Sequence, residues 1–206
     1  MAQENLAHPV SCRCGAFKAQ ITGTGVSSRV ICYCRDCQAF ARFLGNQATQ
    51  LDQAGGSDIV QVAHHRLQIQ QGAEQLAILR LSPQGLLRWY TRCCQTALGN
   101  TLADARGCFI GLLHSSLDAS RIATDFGPPI AALATSSALT KPVPRQYGLP
   151  KVLWNFAKLV LHSRASGAYK RSDLFNPATT GLVVPRVLSL TERQAISQPS
   201  SIQASN

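Results

Sequence analysis

Cys12-Arg13-Cys14-Gly15 and Cys32-Tyr33-Cys34-Arg35-Asp36-Cys37 carry five of the chain's eight cysteines. Two thiols on one short turn converge on a single ion at little entropic cost. Polar turn residues such as Arg13, Gly15, Arg35 and Asp36 do not suit a set of buried free thiols. Clustered cysteines in a chain with no visible secretory leader point to metal rather than to disulfides. Zinc suits them because it is borderline-soft, redox-inert and content with tetrahedral sulfur. A further pair, Cys93-Cys94, follows the strand-like stretch 86–90. Joined to Cys12 and Cys14, it would complete a closed four-sulfur structural site. Cys32, Cys34 and Cys37 would then form a three-thiolate set with an open fourth position, as a catalytic or ligand-accepting zinc requires.

Taken together, the two N-terminal motifs and the strand-like interval between them resemble the glutathione-dependent formaldehyde-activating enzyme (GFA) and centromere protein V family. Gly72, Leu76 and the run Trp89-Tyr90-Thr91-Arg92-Cys93-Cys94-Gln95-Thr96-Ala97-Leu98 are similar to that family's third element, a Cys-x-x-Cys-Gly-Thr run after a strand. Leu117-Asp118 resembles its closing Leu-Asp. The likeness spans about residues 8–125. It implies a compact, mainly β, zinc-stabilised fold like the Mss4 β-tents, with two Zn2+ sites. It also implies a carbon–sulfur lyase acting on a glutathione or other thiol adduct. By the same resemblance Cys12, Cys14 and Cys94 hold the structural zinc. Cys32, Cys34 and Cys37 hold a second, labile zinc near which the glutathione thiol binds, and so carry the catalysis. Thr91 stands where the family has the preceding Cys, and Gln95 where it has Gly, which marks a divergent branch. The fourth ligand of the first site must then come from Cys93, Cys108 or His8.

Composition sets the frame for these motifs. Of 206 residues, 45% are hydrophobic and 15% charged, which supports a packed core rather than wholesale disorder. No apolar run approaches the ~18 residues of a membrane span; the longest candidates, 130–134 and 152–161, are interrupted by polar residues. The opening MAQENLAHPV has neither a basic n-region nor an apolar h-region, so a cytoplasmic chain is expected.

Short strands with turn signals between them fit an all-β sandwich or barrel over residues 8–125. Stretches 16–22, 29–33, 86–90 and 108–113 read as strands, and 66–70 with 75–81 read as a hairpin about Gly72. Residues 126–149 are rich in Pro and Ser and read as a connection. Residues 150–196 read as a C-terminal extension carrying one amphipathic helix over about 150–166, begun by Pro150 and capped by Gly167. Its expected apolar stripe is Leu153, Phe156, Ala157, Val160 and Leu161, docked on the β domain. Residues 197–206 are expected to be a disordered tail.

The formal charge of +10 favours anionic partners. Nucleic-acid binding is disfavoured, because no basic run exceeds Lys170-Arg171 and no aromatic stacking ladder accompanies it. A small anionic thiol such as glutathione fits better. Arg13, Arg35 and Arg92 stand beside ligand cysteines and are expected to stabilise thiolates and attract such a thiol. His64-His65 read as surface residues on opposite faces of a strand. His114 reads as a satisfied interior histidine or as a donor to a zinc thiolate. The rival to a lyase is a non-enzymatic zinc module binding protein or nucleic acid through its basic C-terminal third.

Overall fold

The computed structural model describes residues 7–197, and the tail expected at 197–206 lies, from 198 onward, outside the described residues. The fold is mainly β, with two sheets and a few helices. In chain order the strands and helices are β1 (Ala7–Ser11), β2 (Lys18–Thr22), β3 (Ser28–Cys32), α1 (Arg35–Phe43), α2 (Gln47–Gln50), β4 (Ser57–Ala63), β5 (Leu67–Gln71), β6 (Leu76–Arg80) and β7 (Leu87–Thr91). They continue with β8 (Ala97–Thr101), β9 (Phe109–Leu113), α3 (Ile122–Phe126), β10 (Ala131–Leu133), α4 (Leu149–Ala165), α5 (Pro177–Thr180), β11 (Arg186–Val187) and α6 (Leu190–Ser197).

The small sheet has the order β1-β2-β5, and the large one β10-β3-β4-β9-β8-β7-β6-β11. Pairing is antiparallel throughout, except that β10 lies parallel to β3 and β11 parallel to β6. The inner strands of the large sheet are covered on both faces and mostly apolar, as such strands ordinarily are, with Arg88 and Asn100 as buried polar exceptions. On one face Val60, Val62, Leu76, Ile78, Trp89, Ile110 and Leu112 meet Phe17, Ala19 and Ile21 of the small-sheet region. On the other, Val30, Ile59, Leu79 and Leu113 pack against Phe40 of α1, Val152 of α4 and Leu188.

Three expectations are corrected. The hairpin about Gly72 does not form: β5 pairs with β2 and β6 with β7. Gly72 has φ 75, a left-handed position where a Cβ would collide with the carbonyl oxygen of Ala16. The turn it makes sends the chain out of the small sheet and into the large one. The second correction concerns the helix. Residues 149–165 are helical, with Pro150 in the first turn and Gly167 left-handed after the end, but the buried face differs from the expected stripe. Val152, Leu159 and Ser163 are buried, whereas Leu153, Trp154 and Leu161 are 58%, 65% and 71% exposed. The rotation is fixed by Asn155, whose Nδ2 donates to Ser28 Oγ at 3.0 Å, and by the edge-on packing of Phe156 on Phe109.

Third, His64 and His65 lie on a 3-10 turn rather than a strand. His64 is buried and its Nε2 donates to the carbonyl of Ala105 at 2.7 Å. The segment read as a connection also supplies β10, with Leu133 in register with Cys32.

Candidate metal centres

The first centre is assembled from the two turns that face each other across the sheets. Gly15, at φ 77, lets the chain reverse after Cys14, and the amide of Gly15 donates to the carbonyl of Cys12 at 3.0 Å. The amide of Phe17 donates to Cys12 Sγ at 3.2 Å, which fixes where that sulfur points. On the other side Thr91–Thr96 forms the turn between β7 and β8. The amide of Gln95 donates to the carbonyl of Thr91 at 2.9 Å, and that of Thr91 to the carbonyl of Thr96 at 3.0 Å. The backbone amide of Arg13 stitches the turns together by donating to Thr96 Oγ1 at 3.0 Å, as does its guanidinium, which donates to the carbonyl of Cys94 at 3.1 Å.

The sulfurs of Cys12, Cys14, Cys93 and Cys94 all lie within 4.8 Å of one another. Cys12 to Cys14 is 3.5 Å, Cys12 to Cys93 3.7 Å, Cys14 to Cys93 3.3 Å and Cys93 to Cys94 3.8 Å. These separations are too long for disulfides, which need about 2.05 Å. They fit a tetrahedral thiolate cage, where zinc–sulfur bonds of about 2.3 Å put the sulfurs about 3.8 Å apart. Both members of the adjacent pair can face inward because they sit on a turn and not on an extended strand.

Of the three candidates for the fourth position, Cys93 is the one in place. Cys108 is buried elsewhere and its thiol donates to the carbonyl of Arg106 at 3.1 Å. His8 is buried with its Nδ1 2.7 Å from Asp125 Oδ2. Thr91, at the position the resemblance gives to a cysteine, brings its hydroxyl to 3.6 Å from Cys94 Sγ, and Thr96 brings its own to 3.1 Å. Burial opposes ionisation of Cys94, but the two hydroxyls and the amide of Cys14 outweigh it and lower that thiol to about 5.

The second group is Cys32, Cys34 and Cys37, whose sulfurs also lie within 4.8 Å of one another. Cys32 ends β3, Cys34 is the N-cap of α1, and Cys37 lies in the first turn of that helix. The backbone amide of Cys37 donates to Cys34 Sγ at 3.4 Å, so the helix N-terminus favours negative charge on that sulfur. Three close thiols cannot all ionise without a cation. Cys34 is held well below the ordinary thiol range because Cys32 and Cys37 donate to it, helped by the Cys37 amide and by Arg88 nearby. Its neighbours are displaced the other way. Cys32 is pushed up to about 11, chiefly by its hydrogen bond to Cys34, and Cys37 rises through its bonds to both and through burial. A divalent cation is the natural replacement for the two protons that this set shares.

These thiols stand at one end of a cleft of about 340 Å³. Its walls include Val30, Ile59, Phe109 and Leu133, and its polar side chains besides the thiols are Arg35, Asp36, Gln61, Arg88 and Asn100. Arg88 is the buried cleft residue that the sequence did not flag. It is 3% exposed, its guanidinium donates to Asn100 Oδ1 at 3.2 Å, lies 3.6 Å from Asp36 and stacks over Phe40. An arginine one residue from Trp89 in a strand carries no local signal, because its partners come from β8 and α1. Of the three arginines expected to serve the thiolates, Arg35 stands at the cleft. Arg13 bonds main chain, and Arg92 is exposed. His114 belongs to neither cysteine group, and its buried Nδ1 has no partner among the described residues. Among the described residues no helix is long and apolar enough to cross a membrane.

Residues 5–172 match a family described as a family of unknown function, DUF6151. No curated protein matches the chain.

Proposed function

The chain belongs to the DUF6151 family, and from that premise we propose that it is a cytoplasmic GFA-like zinc protein with an Mss4-like tent. In this reading it acts as a carbon–sulfur lyase on a glutathione or other thiol adduct. The observation that carries the reading is the cleft: three convergent thiols, an open side and a buried guanidinium share one recess. The four-sulfur group at Cys12, Cys14, Cys93 and Cys94 is the closed, structural centre, and Cys32, Cys34 and Cys37 are the ligands of the open one.

When bound at the open centre, Zn2+ supplies Lewis acidity and a position at which a thiol ionises near neutral pH. The chain's own residues do the remaining work. Arg88 draws a carboxylate or thiolate toward the recess, and its charge is stronger there because the surroundings are dry. Val30, Ile59, Phe109 and Leu133 exclude water, while the amides of Gln61 and Asn100 orient a polar substrate. In the reaction the substrate sulfur bonds a carbonyl carbon and its proton passes to the carbonyl oxygen. The reverse breaks the carbon–sulfur bond and returns the thiol and the aldehyde.

Native mass spectrometry with and without millimolar glutathione, on wild type and Cys34→Ser, tests the reading. Two zinc ions in wild type, one lost in the variant, and a glutathione adduct in wild type alone are expected. One tightly held ion and no response to thiol would sink it. A second reading, a non-enzymatic zinc module, is favoured by the exposed Trp154 beside Lys158 on α4. It predicts salt-sensitive affinity for a polyanion, undiminished in Cys34→Ser.

A further inference from the structure

A large cavity lies away from both cysteine groups. It measures about 600 Å³, within the size range of small-molecule sites, and is bounded by the loop Thr24–Val26, the turn at His65 and Arg66, and the second half of α4. It shares no lining residue with the thiol cleft.

Its lining has two characters. Val26, Ala63, Leu159, Leu161 and Ala165 make an apolar wall, and His65, Arg66, Lys158 and His162 are its ionisable residues. No aspartate or glutamate lines it among the described residues. Arg66 is decisive. It is 6% exposed, and its guanidinium donates only to main-chain carbonyls, those of Thr22 at 2.9 Å, Gly23 at 2.7 Å and Gly25 at 3.5 Å. Carbonyl dipoles satisfy its N–H groups but leave its charge without a counter-ion. A buried cation that lacks an anionic partner is costly, and charges held inside proteins are ordinarily paired.

A second observation points the same way. The buried Nδ1 of His65 has no hydrogen-bond partner among the described residues. Burial, together with the positive charges of His64, Arg171, Arg66 and His162, lowers that imidazole to about 4. Lys158 adds an ammonium, 5.9 Å over the ring of Trp154, and His162 stands one turn further along the helix. No carboxylate lines this wall among the described residues, so an anion entering it meets the charges of Arg66 and Lys158 and the ring nitrogens of His65 and His162 without repulsion.

We propose that this cavity is a second binding site, for a small amphiphilic organic anion whose carboxylate or phosphate head meets Arg66, Lys158, His65 and His162 while its apolar body lies against Val26, Leu159 and Leu161. An inorganic anion would leave the apolar wall unused, and a neutral apolar molecule would leave the cations unpaired. The site is independent of the thiol chemistry and stands whether or not the chain is a lyase.

Calorimetric titration of the full-length chain with octanoate, octyl phosphate and neutral 1-octanol tests this. Saturable binding at a single site is expected for at least one of the two anions, and the better one identifies the head group. Because a charge-assisted hydrogen bond contributes about 1.5–3 kcal/mol, 1-octanol should bind about tenfold more weakly or worse. Lys158→Glu and His162→Glu change exposed side chains and should each weaken the anion by about tenfold, with the melting temperature unchanged. Cys34→Ser should leave it untouched. The proposal is overturned if neither anion saturates, if 1-octanol binds as tightly as the anions, or if affinity survives both charge reversals. Loss in Cys34→Ser alone would also overturn it, placing the ligand in the thiol cleft.

Discussion

The sulfurs of Cys14 and Cys93, 79 positions apart in the chain, stand 3.3 Å from each other. That closeness joins the turn after β1 in the small sheet to the turn after β7 in the large one. Cys93→Ser should therefore lose one metal ion per chain, while Cys108→Ser keeps both, as read by native mass spectrometry. Retention of both ions in Cys93→Ser would show that a ligand outside this cage completes the site.

Chelation should destabilise the fold as a whole. At free metal about a thousandfold above its dissociation constant, binding contributes about 4 kcal/mol. For a chain of this size that corresponds to a melting temperature lower by about 8–16 °C after metal removal. A calorimetric scan before and after a chelator reads it directly.

Gln95 occupies a left-handed position, φ 56, in the turn that carries Cys93 and Cys94. A side chain there is strained, so Gln95→Gly should stabilise the protein by about 0.5–1 kcal/mol after glycine's own entropy cost is subtracted. Urea denaturation of the two forms gives the difference, and a loss of stability would mean that the Gln95 side chain matters to the turn.

The rotated helix makes a paired prediction. Leu159 is 5% exposed and Leu161 71%. Leu159→Ala should cost about 2–4 kcal/mol, whereas Leu161→Ser should stay within about 0.5 kcal/mol. The reverse ranking would restore the stripe expected from the sequence.

The histidines of the turn before β5 set an acid sensitivity. Burial lowers both His64 and His65, the latter to about 4, against about 6.5 in an unfolded chain. The unfolded state thus binds protons that the folded state refuses, so the stability present above pH 6.5 is lost as pH falls through 6 toward 4. Urea midpoints for wild type and His65→Asn, compared between pH 7 and 5.5, should diverge, with the variant falling less. Parallel curves would exclude this source.

The cysteine groups were legible in sequence because turn spacing alone brings Cys12 to Cys14 and Cys32 to Cys37. The partner of the first pair could also be anticipated, but the choice among Cys93, Cys108 and His8 could not. That choice depends on a turn geometry in which neighbouring residues face the same way. Arg88 and Arg66 were invisible for a related reason: their burial is decided by strands and loops distant in the chain. The helix over 149–165 was legible from Pro150 and Gly167. Its orientation was not, because one amide on Ser28 and one ring on Phe109 outweighed the hydrophobic stripe.

The large sheet ends in its two shortest strands, β10 with three residues and β11 with two. Sheet edges are templates on which another molecule can add a strand, and short edge strands are a protection against it. A chain cut at residue 125 would bare β3 and β6, whose Val30-Ile31 and Leu76–Leu79 stretches are apolar and rich in strand-forming residues. The segment after residue 125 thus acts as a pair of selvedges for the sheet. Its loss should be felt first as self-association on gel filtration, before any change in metal content.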